Sequence, residues 1–169
     1  RRLSLGLVEG KGSDISIGSS VRVAVLGAGV MGSQIAAMLA NVGCRVNLLD
    51  FAGDADREDL ASAGLARALK ARPPAFFLPE MASLIETGNL EDLSILQEAD
   101  WIIEAIVEDL QAKRLLHARI EAAANSSAVI TTNTSGLSIA SLSEGRSDAF
   151  RSRFLAAHFF NPPRYMKLV

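Results

Sequence analysis

A chain of 169 residues, 49% hydrophobic and 21% charged, is long enough to bury one core without metals or disulfides and too apolar to be disordered. Its net charge of −2, with both signs interspersed, leaves no basic footprint for nucleic acid or an anionic membrane surface. A single cysteine, Cys44, excludes an internal disulfide and a cysteine-based metal cluster, which suits a reducing compartment, a small-molecule partner and no metal.

The first eighteen residues, RRLSLGLVEGKGSDISIG, are rich in Gly and Ser and show no sustained period. They are expected to be a tail or linker ahead of one domain over residues 19–169. From Val21, VRVAVL is a short β-branched run of the kind found in buried parallel strands. GAGVMG follows, and SQIAAMLANVG then places Ile35, Met38, Leu39 and Val42 at helical spacing, with Gly43 where a C-cap is expected. RVNLLD is a second strand ending at Asp50. From Phe51 to Asn89 the pattern weakens: DREDLASAGLARALKA reads as a helix that ends before Pro73-Pro74, and the remainder fits no single element.

Regularity returns with WIIEAIVE, a predicted strand from Trp101 to Glu108, and with the amphipathic helix DLQAKRLLHARIEAAA. AVITTN reads as a strand, LSIASLSEG as a short helix, RFLAAHFF as a strand and MKLV as the start of another. No apolar run reaches the ~20 residues of a membrane span. Strands alternating with helices predict an α/β fold, a Rossmann-like, doubly wound, mostly parallel sheet covered on both faces.

The GAGVMG stretch carries the pattern GxGxxG, weak alone but here between a strand and a helix, with an acid ending the next strand. Gly27 permits the tight turn, Gly29 lacks the Cβ that would hold a pyrophosphate away, and Gly32 lets helix and strand pack closely. The helix opening at Val30 and Met31 offers unpaired N–H groups and a partial positive charge to phosphates. Asp50, eighteen residues after Gly32, is placed to accept from ribose hydroxyls and to repel a 2′-phosphate, so the dinucleotide expected is NAD rather than NADP.

Three further sequence points fall at predicted carboxyl ends of strands, the edge where open α/β sheets bind ligands. Ala105 to Asp109 is one: Glu108 either faces the cofactor, with Lys113 one turn into the next helix, or simply favours a helix start. Glu104, a carboxylate inside an apolar strand, must be paired or lie at an accessible edge. TTNTSG is the second point, where Asn133, Thr134 and Ser135 either enter the same crevice or serve turn and cap chemistry. His158, one of two histidines, is the third, either a satisfied core residue or a titrating group at the crevice.

GAGVMGSQIA, WIIEAIVED, TNTSGLSI and above all RFLAAHFFNPPRYMKLV resemble the nucleotide-binding domain of the (S)-3-hydroxyacyl-CoA dehydrogenases, including the dehydrogenase part of multifunctional fatty-oxidation enzymes. The resemblance covers Val21 to Val169 and implies oxidation of (S)-3-hydroxyacyl-CoA to 3-oxoacyl-CoA with NAD. It gives His158 the catalytic acid–base role, Ser135 a hydrogen bond to the substrate's 3-oxygen, and Asn161 a place lining the substrate site. It sets Asp50, Glu108 and Lys113 against NAD, with Ala105 and Asn133 on the cofactor side. An acyl-CoA substrate, a homodimer and a cytoplasmic location, mitochondrial or peroxisomal in a eukaryote, follow from the same resemblance.

The chain also departs from that pattern. Phe51 to Asn89 is shorter and richer in proline than the helical hairpin the resemblance associates with CoA, leaving Arg67, Lys70 and Arg72 as candidate contacts. The family's orienting glutamate after MKLV and its helical C-terminal domain are expected to lie outside this chain. Two other readings stay open: a related dehydrogenase of another small hydroxy acid, and a non-catalytic dinucleotide-binding domain in which His158 is structural.

Overall fold

The computed structural model describes residues 21–52 and 59–167; the amino-terminal tail lies outside them. Strand β1 (Arg22–Leu26) leads through the glycine turn into helix α1 (Val30–Asn41), followed by β2 (Arg45–Asp50) and α2 (Leu60–Leu69). Then come β3 (Ile85–Asn89), β4 (Trp101–Glu104), α3 (Leu110–Ala123), β5 (Val129–Thr132), the short helices α4 (Ile139–Leu142) and α5 (Asp148–Arg151), and β6 (Phe154–Ala156). The six strands form one sheet in the order β3-β2-β1-β4-β5-β6, and every pairing is parallel. The sheet is therefore wholly parallel, as crossovers through helices require.

Two apolar layers cover the sheet. Val23, Val25, Val46 and Leu48 pack with Ile35, Ala36 and Leu39 of α1 on one face. Ala24, Leu26, Ile102 and Ile130 pack with Leu116 and Ile120 of α3, and with Phe150 and Phe154, on the other. Alternate residues of β1 thus feed opposite cores, which is why VRVAVL is apolar throughout. Gly43 adopts φ +86° just past α1, the left-handed position expected of a helix-ending glycine.

Several elements differ from their sequence expectation. β4 stops at Glu104 rather than Glu108, and β6 stops at Ala156 rather than Phe160, so His158 lies in the loop beyond the strand. The apolar residues past those ends do not continue the ladder; Val107 is 71% exposed. β3 was hidden because IETGN has one apolar residue, and an edge strand with only Ile85 buried shows no alternation. LSIASLSEG supplies only the single turn α4, and Met166 and Lys167 are not in a strand. The predicted helix from Asp56 is described only from Leu60, with Asp59 capping the N–H groups of Ala61 and Ser62.

β1 sits between β2, which runs back toward β3, and β4, which runs on toward β6. Strand order reverses there, and the carboxyl ends of β1 and β4 open a crevice.

Candidate active site

The crevice begins at the glycine turn. Gly27 has φ +105° and its Cα hydrogens face Ala105, where a Cβ would lie 2.6 Å from the carbonyl oxygen. A Cβ on Gly32 would lie 1.8 Å from Gly27 O, whereas one on Gly29 would meet nothing within 4 Å. Two glycines are thus demanded by the protein's own backbone, and the third faces open space. Above that space α1 begins with no side-chain cap and no acid in its first turn, so the N–H groups of Val30, Met31 and Gly32 are left for an anion.

Asp50 closes the turn from β2. Its Oδ2 accepts from Ala28 N at 2.6 Å and its Oδ1 from Phe51 N at 2.8 Å, which fixes the carboxylate at the rim of a cleft of about 710 Å³. Gly27, Gly29, Ala105, Ile106, Val107 and Leu115 are among its lining residues. Phe51, Leu90 and Leu115 were missed as cleft residues. The pair Leu115-Leu116 carried a signal, because adjacent helix positions cannot both face one core. An open Gly29, an uncapped helix start, a rim carboxylate and an apolar cleft together fit a dinucleotide.

The second half of the crevice is held by side chains at the ends of β4, β5 and β6. Glu108 Oε1 accepts from Thr134 Oγ1 at 2.6 Å, Ser135 N at 2.9 Å and Gly136 N at 3.1 Å. Burial pushes this carboxyl up, but those three donors and the nearby Lys113 outweigh it and hold it at about 2. Ser135 Oγ then lies 3.5 Å from His158 Nε2, a separation at the outer limit of a hydrogen bond. Asn133 Oδ1 accepts from Phe159 N at 2.7 Å, which fixes the backbone next to the imidazole, and the Phe160 ring stacks on it at 4.8 Å.

Asn161 is exposed in the following turn. That turn is fastened by Arg164, whose Nη1 donates to Pro74 O and Phe76 O and whose guanidinium lies 4.3 Å from the centre of the Phe77 ring. Sequence reading missed this clamp. The Pro-rich loop and the PPRY turn are remote in sequence, and nothing in either segment names the other.

The structure brings His158, Ser135, Asn133 and Glu108 together on one side of the crevice and the glycine turn with Asp50 on the other. Lys113 lies in the first turn of α3. It is 1% exposed and its ammonium lies between Glu104 at 2.6 Å and Glu108 at 3.4 Å. Arg67 donates to Ala28 O at 2.8 Å, Lys70 caps the end of α2, and Arg72 lies in the loop after it. No helix among the described residues is long and apolar enough to cross a membrane.

The Glu108 geometry makes one prediction. A folded carboxyl held near 2, against an ordinary 4.5, contributes stability fully above pH 4.5 and loses it as pH falls toward 2. Glu108→Gln should therefore cost about 1 kcal/mol at pH 7, a modest figure because the side chain is 41% exposed. Urea melts of both proteins from pH 7 to pH 3 should show that gap closing. A gap that stays constant would mean the carboxylate charge is not what holds the turn.

Comparison with known proteins bears on this arrangement. The family model described as the 3-hydroxyacyl-CoA dehydrogenase NAD binding domain matches residues 22–169. A probable 3-hydroxyacyl-CoA dehydrogenase of Deinococcus radiodurans is 52% identical over 151 residues, covering 88% of this chain and 44% of that protein. Another, of Bacillus subtilis, is 41% identical over 165 residues, covering 88% of this chain and 21% of that protein. The crystal structure of a 3-hydroxyacyl-CoA dehydrogenase from Archaeoglobus fulgidus matches with a TM-score of 0.68 at 31% identity, covering 86% of this chain and 44% of that one. The chain spans less than half the length of each of these relatives. Its sequence match, its wholly parallel sheet and its glycine turn agree: the chain belongs to the 3-hydroxyacyl-CoA dehydrogenase family as its NAD-binding domain, with NAD as the cofactor.

Proposed function

We propose that the protein carries out the NAD-dependent oxidation of (S)-3-hydroxyacyl-CoA to 3-oxoacyl-CoA, with His158 as the acid–base and Ser135 holding the reacting oxygen. The observation that supports it is the 3.5 Å approach of Ser135 Oγ to His158 Nε2 at the carboxyl edge of the sheet that carries the dinucleotide turn. A secondary alcohol loses a proton and a hydride on oxidation. NAD, when bound, supplies the hydride acceptor. His158 Nε2 takes the hydroxyl proton, and Ser135 Oγ fixes the oxygen between the two transfers. In the reverse direction His158 returns the proton.

The test is turnover of acetoacetyl-CoA with NADH by the intact enzyme. Binding of NADH without turnover of any short or medium 3-oxoacyl-CoA would leave a non-catalytic dinucleotide domain as the better reading. The same proposal takes an acyl-CoA as partner, a homodimer as the assembly and a reducing compartment, the cytoplasm or a mitochondrial or peroxisomal matrix, as the location. Sedimentation of the intact protein checks the dimer.

Asp50 is proposed as the residue that selects NAD over NADP, because a carboxylate at the cleft rim repels a 2′-phosphate. Asp50→Ala should weaken NAD binding by about 1–2 kcal/mol, the size of a lost hydrogen bond to a charged group. The variant also leaves Ala28 N without its acceptor. Calorimetric titration with both cofactors checks this, and equal affinities of the unaltered protein for NAD and NADP would refute the assignment.

A further inference from the structure

Helix α2 carries a buried glycine in its interior, Gly64, and an arginine one turn later, Arg67. An interior glycine weakens a helix relative to alanine, so a packing reason is expected. The reason is a close approach: a Cβ on Gly64 would lie 2.5 Å from Ala28 O and 2.8 Å from Ala28 Cβ. Positions i and i+3 share a helix face, and helical side chains lean toward the amino end, so Arg67 reaches back over the same spot. Its Nη2 donates to Ala28 O at 2.8 Å. Ala28 is the middle residue of the turn Gly27-Ala28-Gly29, so α2 grips that turn by a backbone carbonyl.

The neighbouring polar groups of the turn are also held by the protein. Gly27 N donates to Leu49 O at 2.7 Å, Ala28 N donates to Asp50 Oδ2 at 2.6 Å, and Gly29 O accepts from Ser33 N at 3.1 Å and Ser33 Oγ at 2.8 Å. The Gly29 N–H is different: among the described residues no backbone acceptor stands against it. It shares a peptide plane with Ala28 O, and that bond is not one of the cis peptides. In a planar trans peptide the N–H points opposite to the carbonyl. With Ala28 O turned to α2, the Gly29 N–H points away from α2, and Gly29 itself lines the cleft. The Arg67 hydrogen bond therefore sets the direction of a donor beside the uncapped start of α1.

Resting on the glycine turn as the seat of the cofactor's phosphates, we propose that Arg67 is a positioning residue for NAD: by holding Ala28 O it aims the Gly29 N–H at the diphosphate. Gly64 serves the same end, since only a residue without a Cβ lets α2 come close enough for the carbonyl to lie against it. This differs from the acyl-CoA contact that the sequence left open for Arg67. It also differs from a plain tie between α2 and the turn, which would support stability without touching cofactor affinity.

The test is Arg67→Met in the intact protein, which keeps an unbranched side chain and removes the donor. Arg67 is exposed, so the variant should fold, with a melting temperature within about 3 °C of the unaltered protein. The NAD dissociation constant, measured by calorimetry, should rise about fivefold or more, the effect of one misdirected hydrogen bond. That ratio should hold from about 0.05 M to about 0.5 M salt, because it comes from geometry. A ratio that collapses toward one at high salt would make Arg67 a distant attracting charge and overturn the proposal. So would an NAD dissociation constant within about twofold, whether the variant shows a lower melting temperature, a higher KM for acetoacetyl-CoA or neither. Calorimetry needs no turnover, so the result stands even if the catalytic reading fails. Gly29→Ala measured alongside separates the two premises: weakened NAD binding there beside an unaffected Arg67→Met removes the role of Arg67 alone, and unaffected binding in both removes the turn as the phosphate seat as well.

Discussion

Replacing His158 by Gln in the intact enzyme should lower kcat for acetoacetyl-CoA reduction at least about 10²-fold, the lower end of what a general acid–base contributes. The amide of Gln fills much of the imidazole's space and can still donate a hydrogen bond, but it cannot give up and regain a proton near neutral pH. Packing should survive the change. His158 is only half-buried in a loop beyond β6, the neighbouring backbone is held by Asn133 through Phe159 N, and Phe160 stacks on a face that an amide also presents. NAD affinity should stay within about twofold, since the ring approaches Ser135 and not the glycine turn. Steady-state rates with calorimetric NAD titration make the comparison. Retention of most activity would make His158 a structural residue and remove the basis of the catalytic proposal.

How far the sequence discloses this site depends on what each residue is asked to do. β1, α1 and β2 are legible because strand, turn and helix each carry their own local pattern, whereas the register that sets Leu26 beside Leu49 and Glu104 is seen only in the folded sheet. The strand ends are less so. AIVE and AHFF keep apolar residues after their ladders stop, because Ala105, Ile106 and Val107 line the cleft and Phe159 returns to the core from the loop, and apolar character alone cannot distinguish a ladder from either.

Lys113 shows both sides of the matter. Lys113, Leu116, His117 and Ile120 fall at i, i+3, i+4 and i+7, and all four are buried. The stripe that marks the core face of α3 therefore runs straight through two titratable side chains. A buried Lys and a strand Glu that must be paired are complementary, so the ion pair could have been drawn from spacing and charge. The further link to Glu108 and Ser135 could not, because it depends on how a loop turns after the strand ends.

The three glycines of the turn should separate cleanly by substitution, since one faces ligand space and another faces backbone. Gly32→Ala puts a methyl carbon where Gly27 O lies 1.8 Å away, and that oxygen cannot retreat. Gly27 is itself held at φ +105°, donates its N–H to Leu49 O and abuts Ala105. Helix α1 must shift instead, so the expected cost is about 3 kcal/mol, at the upper end of core overpacking, with a melting temperature lower by roughly 6–12 °C. Gly29→Ala is the opposite case. Its φ of −63° and ψ of −167° suit any residue and its Cβ would meet nothing, so stability should change by less than about 0.5 kcal/mol. Yet that methyl would stand over the uncapped start of α1, where the pyrophosphate must come close to the N–H groups. NAD affinity should fall at least about tenfold, or about 1.4 kcal/mol. Thermal melts and NAD titrations of the two variants give four numbers that must fall in this crossed pattern. A destabilised Gly29→Ala would show that the open space is not open in solution, and normal NAD binding by a stable Gly29→Ala would move the phosphates away from this turn.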